Sequence, residues 1–313
     1  MNKDFLDYFS IFTTTIGTLL GFLGIYLTLN SNCDLPNIIT QINQFSFILS
    51  IVLFWLLLLC FKKLLFNLRY SKGYNTISKG FEFSHSLRDN DKIKELPYCV
   101  NSMQDFCSKI AEAFSIFTNR QTYVCIKLFH ISEKGDIYLQ TFCRDSKSRD
   151  NENRINPEDE NEDELHYLSA NTDFKHIFTN VNKEGAEYRY HFSNNLPGED
   201  FYENSRIDPN VYPPKTKLFI WKNIKRQLAW NLPYRSSITV PITRFSDKKL
   251  TEDKIVGFLC VDSPFIWTFT ETLDINIFRG IAAGIYPTVK KICDIHFQGV
   301  YNSTKQNKSN NKK

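Results

Sequence analysis

Apolar and polar positions change rhythm several times along the chain. No charged residue occurs between Asp7 and Asp34, or between Asp34 and Lys62. Each gap exceeds the ~20 apolar residues that cross a bilayer. The pattern therefore predicts a transmembrane hairpin over residues 1–63, with spans at about 10–29 and 45–61, and a mixed polar juxtamembrane linker at 64–97. Gly73, Gly80 and the run RDNDKIKE argue against a compact unit in that linker, part of which reads as helix. A helical period starts at Asn101, carried by Met103, Phe106, Ile110, Phe114 and Phe117. TYVCIKLFHI and DIYLQTFCRD then read as strands around the turn SEKGD. A long polar connector follows. In it EDENEDE (158–164) reads as a solvated loop, and LHYLSANTDFKHIFTNV as a helix starting at Asn171 to Asp173.

Residues 185–235 are irregular, aromatic and rich in proline (Pro197, Pro209, Pro213, Pro214, Pro233). A loop-rich stretch of this length in a compact domain has a task, either covering a pocket or presenting a partner surface. SSITVPITRF and KIVGFLCVDS are the next strands. TETLDINIFRGIAAGIYPTVKKICDI is a closing helix with Leu273, Ile277, Ile281, Ile285 and Val289 on its apolar face and a bend expected at Gly284 and Pro287. Residues 297–313 form a polar tail expected to be disordered. The fold class is α+β: a transmembrane α-hairpin followed by an antiparallel sheet flanked by helices.

Lys62, Lys63, Arg69, Lys72 and Lys79 follow the second span, whereas the predicted hairpin loop Asn30 to Gln44 has no Lys or Arg. The positive-inside rule then predicts a multi-pass protein of the inner (cytoplasmic) membrane with both termini in the cytoplasm. The first stretch lacks the small-x-small cleavage site of a signal peptide and has only Lys3 as a basic start. Thr14, Gly17, Gly21, Gly24 and Thr28 share one helical face. Such a stripe of small residues admits a second helix, either the chain's own second span or a neighbouring chain in a homo-oligomer. Neither span carries an ionisable residue, so no proton relay is indicated.

The net charge is +4, and the tail's Lys305, Lys308, Lys312 and Lys313 account for all of it, so no basic patch for nucleic acid is expected on the folded part. Of the eight cysteines none forms C-x-x-C or stands at zinc spacing from a histidine. Most lie in apolar runs, which reads as core thiols in a reducing compartment, with no metal. Only Cys33 is expected on the far side of the membrane.

The order helix, two strands, connector, two strands, helix resembles a GAF domain over residues 98–296. The residues that carry the resemblance are YRSSITVPI, IVGFLCVDS and FTETLDINIFRGIAAGIY, similar to the last two strands and last helix of that family. The resemblance implies a sensory module in which a ligand, when there is one, sits on the sheet face opposite the helices. It places Asp262 and Ser263 where the last strand leaves the sheet, either bracing the turn or touching a ligand. The cyclic-nucleotide pattern of the family is not recognisable, and no Cys-His pair like that holding a bilin occurs. The absence of Cys between Cys143 and Cys260 departs from the free methionine sulfoxide reductases. The two-span-plus-sensor layout also resembles bacterial defence effectors that damage the inner membrane.

Arg144 ends the second strand, Arg235 and Ser237 open the third, and Arg244 closes it. Arg144, Arg235 and Ser237 could converge on an anionic group, which suits a guanidinium fork, or each arginine could pair with a nearby acid or cover apolar surface. Trp221, with Tyr212, Trp230 and Tyr234, could stack on a planar ligand or fill a core. No G-x-S-x-G elbow, Walker sequence or dinucleotide-binding glycine pattern occurs. The sequence therefore predicts a non-enzymatic, cofactor-free, membrane-anchored sensor–effector whose ligand is a small molecule, such as a nucleotide signal, or a protein. The alternative is a membrane tether that recruits or restrains a partner.

Overall fold

A computed structural model describes residues 35–131, 137–151, 154, 166–180, 189–199, 202–207, 224, 227–244 and 254–297. The chain divides into two compact units, Met1–Asn67 and Leu68–Lys313.

In the first unit the described residues belong to helix α1 (Leu35–Asp89). Phe54, Trp55, Leu57, Leu59 and Phe61 are each more than half exposed on it. The predicted span at 10–29, with Gly17, Gly21 and Gly24, lies outside the described residues. The predicted span at 45–61 is part of α1, not a separate helix, and the expected loop from Asn30 is helical from Leu35 onward. Among the described residues no helix is long and apolar enough to cross a membrane. The transmembrane hairpin is therefore unsupported: α1 runs on from its apolar stretch through Lys62, Lys63 and Arg69 without a break.

In the second unit the stretch expected to be a polar connector is ordered instead. Helix α1 continues to Asp89, and a 3-10 turn at Asp91–Lys94, capped by the Asn90 side chain on the Lys92 N–H, leads into α2 (Leu96–Thr118). Gly73 and Gly80 do not loosen this segment. A Cβ at Gly73 would overlap the Phe117 ring, and one at Gly80 would lie 3.2 Å from the Lys109 side chain, so both glycines allow α1 and α2 to approach closely. Helix α2 starts with Pro97 in its first turn and ends on Asn119, whose φ of 54° is the left-handed terminator. Its buried stripe includes Met103, Phe106, Ile110, Phe114 and Phe117, the five positions of the sequence period.

The strands are β1 (Tyr123–Ile131), β2 (Ile137–Arg144), β3 (His166–Tyr167), β4 (His191–Ser193), β5 (Ser236–Ile242) and β6 (Gly257–Ser263). They form one antiparallel sheet in the order β3-β2-β1-β6-β5-β4. A short helix α3 (Ser146–Arg149) follows β2, α4 (Thr172–Thr179) follows β3, and α5 (Glu271–His296) closes the domain. Helix α2 packs on β1 and β2, and α5 packs on β5. Pro287 is inside α5, which continues past it. Gly284 has a packing role, since a Cβ there would lie 2.7 Å from the Phe81 ring of α1. Ser84 of α1 donates to Thr288 Oγ1 of α5 at 2.9 Å, a buried hydroxyl pair that joins the two helices.

Strand alternation divides the sheet between two layers. Val124, Ile126 and Leu128 of β1, Ile238, Val240 and Ile242 of β5, and Leu259 and Val261 of β6 join the helices in the main core. Cys125, Phe258 and Cys260 face the other way, into a smaller cluster with Leu139, Phe174 and Ile177. Strand β2 breaks its own alternation. The pairing Ile126↔Cys143 is followed by Lys127↔Thr141, which leaves Phe142 as a bulge. One extra residue reverses the parity of everything beyond it. Cys143 therefore enters the helix-side core, and Arg144 is turned to the opposite face.

Candidate functional site

The face opposite the helices carries a polar row across the sheet. Arg144 pairs with Cys125, Cys125 with Cys260, Cys260 with Thr239, and Thr239 with His191. Beside it runs a second row of Tyr123, Asp262, Ser237 and Ser193. Above the strands lie Asp173 and Phe174 from α4, and Arg154, Asn204, Arg206, Pro233 and Tyr234 from the connectors. Together they enclose a cavity of about 50 Å³. A water needs roughly 10–15 Å³ on this measure, so the space suits a few waters or one small anionic group. It is far below the ~300–1,000 Å³ of a drug-sized pocket.

Four cationic side chains line the cavity, Lys127, Arg144, Arg154 and Arg206, against two carboxylates, Asp173 and Asp262. Arg154 and Asp262 neutralise one another. The guanidinium donates to both carboxylate oxygens, at 3.0 and 2.5 Å, and lies 4.2 Å from the Tyr123 ring centre. Asp262 holds the Arg154 charge in place, although burial opposes it. Lys127 donates to Thr141 Oγ1 at 2.8 Å. Arg144, 5% exposed, reaches Ser148 Oγ with Nη1 at 3.3 Å. Among the described residues, Arg144 Nε, Arg154 Nε, Ser237 Oγ and Asp173 Oδ1 are buried without a hydrogen-bond partner and belong to residues that line the cavity. Buried polar groups are rarely left so, and four around one small space mark it as built for something polar.

Burial pushes the Asp173 carboxyl up to about 6, although its own and the Phe174 backbone N–H groups and Lys127 oppose this. Burial likewise raises Asp145 to about 6, against its hydrogen bonds from the Val124 and Ser148 N–H groups. His191 is depressed to about 4 by burial and the nearby His176. The two raised carboxyls add stability below their unfolded value of ~3.9, and this is lost as pH rises through about 6. The depressed His191 adds stability above ~6.5, lost as pH falls towards 4. Asp173→Asn removes one of these charges. It should stabilise the protein by up to about 3 kcal/mol at pH 7.5, from roughly two pKa units at ~1.36 kcal/mol each, and by nothing at pH 3.5. Thermal unfolding across that range measures the difference.

The structure brings Arg144 and Ser237 together on this cavity and leaves Arg235 out. Arg235 donates from Nη1 to Gln227 Oε1 at 2.5 Å, and its backbone N–H bonds the Ser263 carbonyl at 2.7 Å. Trp221 lies outside the described residues. Trp230 packs with Leu196, Tyr202 and Leu232 in a separate cluster. Of the two residues that end β6, Ser263 is a brace, donating to the Gln121 carbonyl at 2.7 Å, while Asp262 lines the cavity. Sequence reading missed Lys127, Arg154, Asp173 and Arg206. Only Lys127 left a signal, as a lone charge inside an apolar strand. Among the described residues no group of three or more His, Cys, Asp or Glu could hold a metal ion.

No family model and no curated protein matches the chain. Among solved structures it is similar to a type II free methionine-R-sulfoxide reductase from Thermoplasma acidophilum, at 12% identity and a TM-score of 0.36 over 64% of this chain and 96% of the other. It is similar to a bacteriophytochrome chromophore-binding domain from R. palustris at 12% identity and a TM-score of 0.38, over 72% of this chain and 63% of the other. A GAF domain region from Geobacter sulfurreducens PCA matches at 15% identity and 0.35, over 63% and 98%. At these identities and TM-scores the likenesses carry no argument about ligand or activity. The expectation of a non-enzymatic chain is corrected: missing motifs do not exclude catalysis, and free methionine-R-sulfoxide reductases are among the structures to which the chain is similar.

Proposed function

We propose that the second unit is a sensory domain that binds a small anionic molecule, carrying phosphate or carboxylate, in the cavity above β1, β6 and β5. The observation that carries this reading is Arg144, buried to 5% exposure with Nε unpartnered, facing the same cavity as the unpartnered Ser237 hydroxyl. A guanidinium in a water-poor space is a strong and directional anion receptor. At about 50 Å³ the cavity takes the anionic group alone. A whole nucleotide signal requires the connector that carries Asn204, Arg206 and Tyr234 to move outward.

In this reading the N-terminal region holds the sensor on the cytoplasmic side of the inner membrane. Two uncharged runs before Lys62 and the apolar residues on every side of α1 at 54–61 support it, since a helix apolar all round is stable only inside protein or lipid. Its output is membrane perturbation by that region, the mode of two-span bacterial defence effectors. The alternative output is recruitment of a partner to a passive anchor. Exchanging residues 1–63 for an unrelated anchor separates the two, because a recruiter keeps its activity and an effector loses it.

The ligand reading is tested on the purified full chain. Small molecules that co-purify are identified by mass spectrometry, and phosphate- and carboxylate-bearing compounds are screened by thermal shift. A ligand at a hundred times its Kd adds about 2.7 kcal/mol of stability. Arg144→Met should abolish the shift. If no anion is retained and none raises the melting temperature, the reading is wrong.

A further inference from the structure

We propose that Cys125 and Cys260 form a peroxide-responsive dithiol on the cavity floor, closing to a disulfide that joins β1 to β6. The two are direct cross-strand partners in an antiparallel pair, so both side chains leave the same face at the same level. Directly opposed antiparallel residues have Cα atoms about 4.5–5.5 Å apart, inside the ~4.4–6.8 Å that a disulfide spans. Both thiols are free and both line the cavity. The neighbouring Cys260 thiol lowers Cys125 to about 7 against the effect of burial, with Lys127 and Arg144 acting in the same sense, while Cys125 and burial raise Cys260. A thiolate is the nucleophile in thiol oxidation, and a neighbouring thiol resolves it.

The size of the cavity selects the oxidant. Hydrogen peroxide is scarcely larger than water and fits a space of about 50 Å³, whereas a disulfide such as oxidised glutathione does not. The Cys125 thiolate attacks one peroxide oxygen. An S–O bond forms, the O–O bond breaks, and the departing hydroxide takes a proton and leaves as water. The Cys260 sulfur then attacks the Cys125 sulfenic acid. The S–S bond forms, the S–O bond breaks, and the Cys260 proton leaves with the hydroxide as a second water. Two thiols are oxidised by two electrons and one peroxide is reduced to two waters.

The chain contains its own control. Cys107 of α2 and Cys143 of β2 have their sulfurs 3.8 Å apart, within reach of pairing, but on the helix side of the sheet. Both belong to the main core, at 0% and 1% exposure, and burial holds the Cys107 thiol well above its ordinary value. Each pair brings two thiols side by side, and of the four only Cys125 and Cys260 line this cavity.

The reduced full chain is exposed to hydrogen peroxide, quenched with catalase, unfolded in N-ethylmaleimide and mapped by mass spectrometry. The Cys125 and Cys260 peptides should appear as one linked species, two hydrogens lighter and reversible by dithiothreitol. They should lose labelling at least tenfold faster than those of Cys107 and Cys143. In Cys260→Ser the reaction should stop at a Cys125 sulfenic acid that dimedone captures. Full labelling of Cys125 and Cys260 in excess peroxide, or equal oxidation of the Cys107–Cys143 pair, overturns the proposal. The wild-type map decides even if the variant does not fold. No ligand enters the assay, so its failure and that of the anion-binding reading are distinguishable.

Discussion

Arg154→Met should lower the stability of the protein by about 3–5 kcal/mol, the cost of leaving one member of a buried ion pair uncompensated. The Asp262 side chain is 12% exposed and its two oxygens are held by the two terminal nitrogens of Arg154. With the guanidinium removed, the carboxylate faces an interior with little water. The stacking of the guanidinium on Tyr123 at 4.2 Å is lost as well. The double variant Arg154→Met, Asp262→Leu should recover most of the loss, because two apolar groups of similar volume need no counter-charge. Guanidinium-induced unfolding of the three proteins measures this. A single variant within about 1 kcal/mol of wild type would mean that the pair is reached by solvent and screened, as surface pairs are.

Phe114→Ala should cost a similar 3–5 kcal/mol by a different mechanism, the loss of buried apolar contact and the cavity left behind. Phe114 is completely buried, and its ring lies 5.3 Å from Phe278 of α5, 5.6 Å from Phe117 and 6.4 Å from Phe269. It is thus where α2 and the approach to α5 meet over the sheet. At about 2–4 °C per kcal/mol for a unit of this size, the melting temperature should fall by roughly 10 °C. The two variants should differ in one further respect. Arg154→Met removes a residue that lines the cavity and should change anion binding, whereas Phe114→Ala acts on the other face of the sheet and should leave affinity unchanged in the folded fraction.

That division between faces explains which parts of the site could be anticipated. Arg144 was singled out because it ends a strand, but simple alternation in β2 puts it with the core: Leu139 and Thr141 face the cavity side, and two more steps would add Cys143. The bulge at Phe142 exchanges the two, and nothing in DIYLQTFCRD announces it. Arg235 and Ser237 have the same parity on paper. Arg235 precedes the first residue of β5, so its side chain is free of the pleat and turns to Gln227. Arg154 lies in a connector without periodicity, and its partner is 108 residues away. The glycines of α1 were misread for a related reason. Gly73 and Gly80 weaken an isolated helix, but here they are needed where α2 crosses closely.

The sequence by itself determined the local elements: the stripe of α2, the four long strands, the closing helix and the start of α4 at Thr172. These follow from the 3.6- and 2-residue repeats of the backbone, which every stretch of chain obeys without reference to the rest. Only the tertiary structure decided that α1 runs unbroken to Asp89, that Arg154 meets Asp262, and that Cys125 stands opposite Cys260 on the floor of a small charged cavity. Those are coincidences between distant segments. They depend on strand order, on one bulge and on the path of the connectors, and no repeat along the chain encodes them.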